Sequence, residues 1–218
     1  MCTLAEKIIE MNYLEEKIVQ EGVILPGNVL KVDGFLNHQV DIELMRFITQ
    51  ELQRRFEGVK VTKILTIEAS GIAIATMLAH YLNVPFVYAK KGLTVNGTDD
   101  KYVSQAFSFT GKQQNLVYVS KPYISPDDHV LIVDDFLAES EATHALIDII
   151  RQAGATLAGI GIAIEKGYQK GGRLLRDEGL RVESIAIIKE MDIKTQTFKF
   201  IRQLQQEHSG VRNLCAKK

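Results

Sequence analysis

The 218-residue chain has no tryptophan, four prolines and two cysteines. Cys2 and Cys215 stand at opposite ends, which excludes a disulfide framework or cysteine-based metal spacing and fits a reducing cytoplasm. No apolar run approaches the length of a membrane span. Residues 1–21 mix acids and bases through their apolar positions, unlike a signal peptide. Neither charge sign dominates: 26 Lys and Arg against 27 Asp and Glu leave a net charge of -1. A protein that grips nucleic acid through its phosphates carries a basic excess, so that class is disfavoured. There is no repeat and no low-complexity segment. What remains is an ordinary globular composition, 46% hydrophobic and 24% charged. A chain of this length buries roughly 70% of its unfolded surface and needs no covalent or metal staple.

Periodicity divides the chain. Leu4, Ile8, Ile9, Met11, Leu14, Ile18 and Val19 recur at helical spacing over 4–20, and Gly22 ends that helix. Extended pieces at 23–25 and 29–32 flank a Pro26-Gly27-Asn28 turn. A second helix over 41–57 sets Ile42, Met45, Ile48, Leu52 and Phe56 on one face. Beyond Val59, strands are expected at 61–67, 84–89, 115–120, 129–134, 156–165 and 182–189, with helices at 72–82, 139–153 and 172–178. An edge strand is expected at 195–201. Residues 90–105 are polar and aperiodic, and so long a loop is usually functional. Apolar strands alternating with helices predict an α/β domain with a mainly parallel sheet covered on both faces. The expected layout is one domain over 1–218: a helical, turn-rich cap or hood at 1–57, an α/β core at 58–192 and a C-terminal extension at 193–218.

Ligands of such sheets bind where strands end and helices begin. Two junctions, 66–72 and 130–143, are therefore the candidates. The second reads Val130-Leu131-Ile132-Val133-Asp134-Asp135-Phe136-Leu137-Ala138. Paired carboxylates at a strand end can grip sugar hydroxyls or a hydrated Mg²⁺, or can simply start a solvated turn. The run resembles the phosphoribosyl-pyrophosphate (PRPP) motif of type I phosphoribosyltransferases. Other segments follow the order seen in bacterial xanthine phosphoribosyltransferases: Lys31-Val32-Asp33-Gly34-Phe35-Leu36-Asn37-His38-Gln39, Thr66-Ile67-Glu68-Ala69-Ser70-Gly71-Ile72-Ala73, Ser108-Phe109-Thr110 and Gly159-Ile160-Gly161-Ile162-Ala163-Ile164-Glu165-Lys166. The similarity runs from about Leu14 to Lys189.

The resemblance implies a type I phosphoribosyltransferase fold. It also implies conversion of xanthine and PRPP to xanthosine 5′-monophosphate and pyrophosphate in cytoplasmic purine salvage. A homodimer is implied, with Mg²⁺ carried by PRPP and no direct protein metal ligand. Nucleic-acid and membrane partners are not. Asp134 and Asp135 would hold the ribose and favour positive charge at its anomeric carbon, and Lys90 would offset the leaving pyrophosphate. Lys166 would donate to a 6-oxo group, which disfavours adenine; alone, it reads as a solvated strand-end lysine. Leu30 would pack on the purine and Tyr168 would stack on it, though Tyr168 also suits a surface loop. Asn37 would serve the 2-position, or cap a helix. Ala69, Ser70 and Lys91 would meet the pyrophosphate, and 138–143 would wrap the 5′-phosphate.

That last loop departs from the family. Where the family reads Ala-Asn-Gly-Gln-Ala, this chain has Ala138-Glu139-Ser140-Glu141-Ala142, followed by Thr143. At ~5 Å and an effective dielectric of ~20, each carboxylate–phosphate charge pair repels by about 3 kcal/mol. Ser140 is costly if a positive φ is required. Yet Ser140 suits an N-cap, and Glu139 and Glu141 suit a first helical turn. Three functions follow: an active xanthine phosphoribosyltransferase, a non-catalytic relative that binds purine or PRPP, or phosphoribosyl transfer to another base, with Lys166 arguing against adenine.

Overall fold

The computed structural model describes residues 11–92, 100–107 and 114–201. Cys2, Cys215, Ser108-Phe109-Thr110, the start of the first expected helix and the end of the C-terminal extension lie outside the described residues.

The chain opens with α1 (Tyr13–Glu21), capped by Asn12 and Glu15 in reciprocal side-chain-to-backbone bonds. A two-stranded hairpin, β1 (Val23–Leu25) and β2 (Val29–Lys31), turns at Asn28, whose φ is 58°. A π-helical turn over Asp33–Asn37 leads into α2 (Ile42–Arg55). Asp41 caps α2, accepting from the N–H groups of Glu43 and Leu44. This settles one alternative for Asn37, which is not the cap of that helix.

The main sheet comprises β3 (Lys63–Ile67), β4 (Phe86–Lys91), β5 (Lys101–Phe107), β6 (Gln114–Ser120), β7 (His129–Leu137), β8 (Thr156–Lys166), β9 (Val182–Asp192) and β10 (Thr197–Ile201). Its order is β10-β9-β8-β7-β3-β4-β6-β5. The five strands from β9 to β4 run parallel, whereas β10, β5 and β6 pair antiparallel at the margins. Strand alternation sorts β7 into two cores. Leu131 and Val133 face α2 and α3 (Gly71–Leu82), and Val130 and Ile132 face α4 (Glu141–Gln152). A short helix, α5 (Gly171–Asp177), follows β8.

Three expectations need correction. Ile42 is exposed rather than on the buried face of α2, because it is the first helical residue beside the cap. The polar stretch 90–105 is not loop throughout. Its end is β5, an edge strand held by β6 and by Gln152, whose amide bonds both Val103 N–H and C=O. The strand of the acid pair also continues through the acids to Leu137, because β8 supplies partners as far as Glu165.

Two contacts fix the first segment of the chain. Leu52 and Phe56 of α2 lie on glycines of β8. An added Cβ at Gly159 would stand 2.5 Å from the Phe56 ring, and one at Gly161 would stand 3.0 Å from Leu52. At the other end, the Gln196 side chain accepts from Ile24 N–H at 2.8 Å and donates to Ile24 C=O at 3.0 Å. The β9–β10 turn thus fastens the β1–β2 hairpin.

Leu52→Ala is expected to cost about 3 kcal/mol, since a fully buried side chain in a two-layer contact leaves a cavity. Denaturant unfolding of the variant checks this.

Candidate functional site

The loops leaving β8, β7 and β3 emerge side by side at one sheet edge. Between β7 and β3 the winding reverses: β3 leads outward to β4, and β7 leads the other way to β8. Such a switch point opens a crevice at the carboxyl ends of the strands.

Asp134 and Asp135 sit on its floor, both buried. Asp135 accepts from Ser70 Oγ at 2.8 Å on one oxygen and from Asn37 Nδ2 at 3.1 Å on the other. Three segments distant in sequence therefore converge on one carboxylate. Asp134 accepts from the Asp135 backbone N–H at 2.9 Å. Burial, and then the charge of Asp135, hold its carboxyl well above the usual carboxylate range, against a smaller pull from Lys91. Gly71 makes this packing possible: a Cβ there would lie 2.0 Å from Thr66 Oγ1 and 2.8 Å from Asp134 Oδ1. The Thr66 hydroxyl is buried with no hydrogen-bond partner.

One strand away, Lys166 ends β8. Its ammonium is 5.8 Å from the centre of the Phe136 ring and 3.5 Å from the Asn28 carbonyl. Tyr168 Oη approaches the same carbonyl at 3.4 Å. Burial pushes the Lys166 pKa down and that of Tyr168 up. Together they form a niche with donors on the sheet side, a carbonyl on the hairpin side and an aromatic ring beneath.

The loop after β7 shows what its departures do. Ser140 has φ 76°, the left-handed region that disfavours a residue with a Cβ. It occupies the N-cap position but bonds no helix N–H, contrary to the capping expectation, because a side-chain cap needs extended backbone. Its hydroxyl turns back to the Glu139 carbonyl. Glu139 precedes the helix instead of joining its first turn, and pairs with Lys170 at 3.5 Å. Glu141 is the first helical residue. Thr143 is buried, and Ala138 accepts from Gly171 N–H at 3.0 Å.

Asp134, Asp135, Ser70 and Asn37 are thus brought together, with the charge of Lys91 reaching Asp134. Lys166 and Tyr168 share a second cluster. Lys90 and Lys91 are the last residues of β4 rather than the start of a loop, and as strand neighbours they face opposite sides. Both side chains are exposed. Leu30 is turned inward with Ile24 into the apolar core. Ala69 is exposed beside Ser70. Thr66, Phe136, Asn28 and Lys170 belong to the site region and were missed. The Pro-Gly-Asn turn marked Asn28 as a bend but gave no sign of what lay beneath it.

A phosphoribosyl transferase domain matches residues 32–199, most of the chain. The chain belongs to the phosphoribosyltransferase family. It is 51% identical over 191 residues to a protein named xanthine phosphoribosyltransferase from Bifidobacterium adolescentis, covering 87% of this chain and 99% of that one. A protein of the same name from Lachnoclostridium phytofermentans is 49% identical over 190 residues, covering 87% and 98%. Among solved structures, an adenine phosphoribosyltransferase from Giardia lamblia superposes with a TM-score of 0.66 at 20% identity, covering 80% of this chain and 96% of that one. The Trypanosoma brucei enzyme superposes at 0.65 and 19%, covering 83% and 81%. Those two show the shared fold. Among the described residues no helix is long and apolar enough to cross a membrane.

The raised Asp134 pKa has a consequence for stability. The unfolded chain gives up that proton near pH 4, whereas the folded chain holds it to higher pH. Above about pH 4 the folded state therefore holds more protons than the unfolded one, and stability falls with rising pH until the folded pKa is passed. Asp134→Asn is expected to raise stability at pH 7 and flatten its decline between pH 4 and 7. Thermal unfolding across that range checks it.

Proposed function

We propose that this protein transfers the 5-phosphoribosyl group of PRPP to xanthine, releasing pyrophosphate and forming xanthosine 5′-monophosphate. The observation that carries the reading is the placement of Lys166 one strand from the Asp134–Asp135 pair, in a chain about half identical to proteins named for that reaction.

In this reading a purine nitrogen bonds to the anomeric carbon as the bond from that carbon to a pyrophosphate oxygen breaks; the pyrophosphate leaves with that electron pair, and the proton of the purine nitrogen passes to it or to water. Asp135, already aimed by Ser70 and Asn37, accepts from a ribose hydroxyl. The buried pair places negative potential beside the carbon that becomes cation-like, where low dielectric strengthens its effect. Lys166 donates to the 6-oxo oxygen, and its partial desolvation makes that bond worth more than one in water. Tyr168 lines the ring. Asn37 spends one amide N–H on Asp135, which leaves its second N–H for the 2-oxo group. Lys91 and the backbone at Ala69 and Ser70 receive the pyrophosphate, while 138–143 receive the 5′-phosphate. Both oxygens of Asp135 have protein donors, and Asp134 favours its proton; this donor set suits a cation brought in on PRPP better than a protein-held one. Magnesium carried in on PRPP would supply positive charge to the leaving group. A cytoplasmic homodimer in purine salvage completes the reading.

Purified protein incubated with PRPP, Mg²⁺ and each of xanthine, guanine, hypoxanthine and adenine is expected to make xanthosine monophosphate fastest. Lys166→Ala should lower kcat/KM for xanthine about 50-fold, the loss of one charged hydrogen bond in a partly dry site. Folded protein that makes no nucleotide from any base would sink the enzyme reading. It would favour a binding protein, for which the carboxylates Glu139 and Glu141 are the specific argument.

A further inference from the structure

The acidic loop after β7 has a built-in counter-charge. Gly171 rests directly on the loop backbone: an added Cβ there would lie 2.3 Å from Ala138 O and 2.7 Å from Ser140 N. Its N–H also bonds Ala138 O at 3.0 Å. Lys170 is thereby held beside the loop, and its ammonium reaches Glu139 Oε2 at 3.5 Å. The two side chains are 44% and 33% exposed, and a surface pair of this kind adds little to folding stability. Its effect belongs to the moment a dianion arrives. An unpaired Glu139 carboxylate would oppose the 5′-phosphate, whereas a paired one presents nearly no net charge.

We propose that Lys170 is a positioning residue that neutralises and holds aside Glu139, allowing a loop carrying a carboxylate to accept the 5′-phosphate of PRPP. The proposal rests on the phosphoribosyltransferase reading of the site and deepens it. It links both ends of the product nucleotide, base and 5′-phosphate, to one turn, since Lys166 and Lys170 bracket the segment between β8 and α5. Glu139 is then not a defect but half of a matched pair, whose other half lies thirty-one positions on (170 − 139).

The test is a double-mutant cycle in the full chain: Lys170→Ala, Glu139→Asn and both together. PRPP–Mg²⁺ affinity is read by calorimetry and PRPP KM by steady-state rates. Lys170→Ala is expected to raise both constants about fivefold, more at low salt than at high, with kcat, xanthine KM and thermal midpoint unchanged. Lys170→Arg should retain wild-type affinity. In the Glu139→Asn background the same Lys170→Ala change should weaken binding less than about twofold. An unchanged affinity in Lys170→Ala, or an equal loss with and without Glu139, overturns the proposal while leaving the enzyme reading intact. Absence of PRPP binding by the wild-type protein overturns both.

Discussion

A carboxyl group kept from water at the end of a central strand is the constraint on which the rest of the site depends. Asp134 is buried beside a second carboxyl, Asp135, so ionising both would place two like charges where dielectric screening is weak. It tolerates this by giving Asp135 two donors and by leaving Asp134 inclined to keep its proton. Everything needed for that arrangement lies far apart in sequence. Ser70 comes from the start of α3, Asn37 from the turn before α2, and both must reach the end of β7. Gly71 must lack a side chain for α3 to close over them. The arrangement costs stability at neutral pH, the usual direction for a site built for chemistry.

Most of the core was legible in the sequence, and the reasons are physical. Fully buried strands such as β7 read as unbroken apolar runs because both faces are covered. Helix α2 was visible in Met45, Ile48 and Leu52 because one stripe faces the sheet. What escaped was structure specified by pairing rather than burial. Strand β5 contains Lys101, Ser104 and Gln105, and its identity comes from β6 and from an amide on α4. The site was half legible for the same reason. The Asp134-Asp135 pair and Lys166 are local to strand ends, where chemistry and topology coincide. Ser70 and Asn37 were found through resemblance, but their convergence on Asp135 is a tertiary fact. Leu30 was expected to pack on a ligand through the resemblance; what the structure adds is that it is the one buried position of β2.

The loop after β7 illustrates the limits of local propensity. Ser140 looked like a helix cap and sits where a cap would sit, yet its backbone has the wrong hand for capping. The geometry of the loop won over the preference of the residue, and α4 begins without that support. A chain tolerates such a conflict where the surrounding contacts over-determine the backbone. Here those contacts come from Gly171 and from the His144 ring, which holds the Ser140 carbonyl at 2.9 Å.

The clamp between Gln196 and Ile24 has a consequence for how the molecule comes into being. The hairpin that overhangs Lys166 and Tyr168 is made before every strand of the main sheet. Its fastening lies 172 residues later, close to the end of the described chain. Domains generally fold as units while synthesis proceeds from the N-terminus, so the sheet can form around β7 before this latch exists. The Asp134–Asp135 pair is thus made before Gln196, and the hairpin over Lys166 and Tyr168 is fastened only after β9 has been made, which separates being folded from being ready.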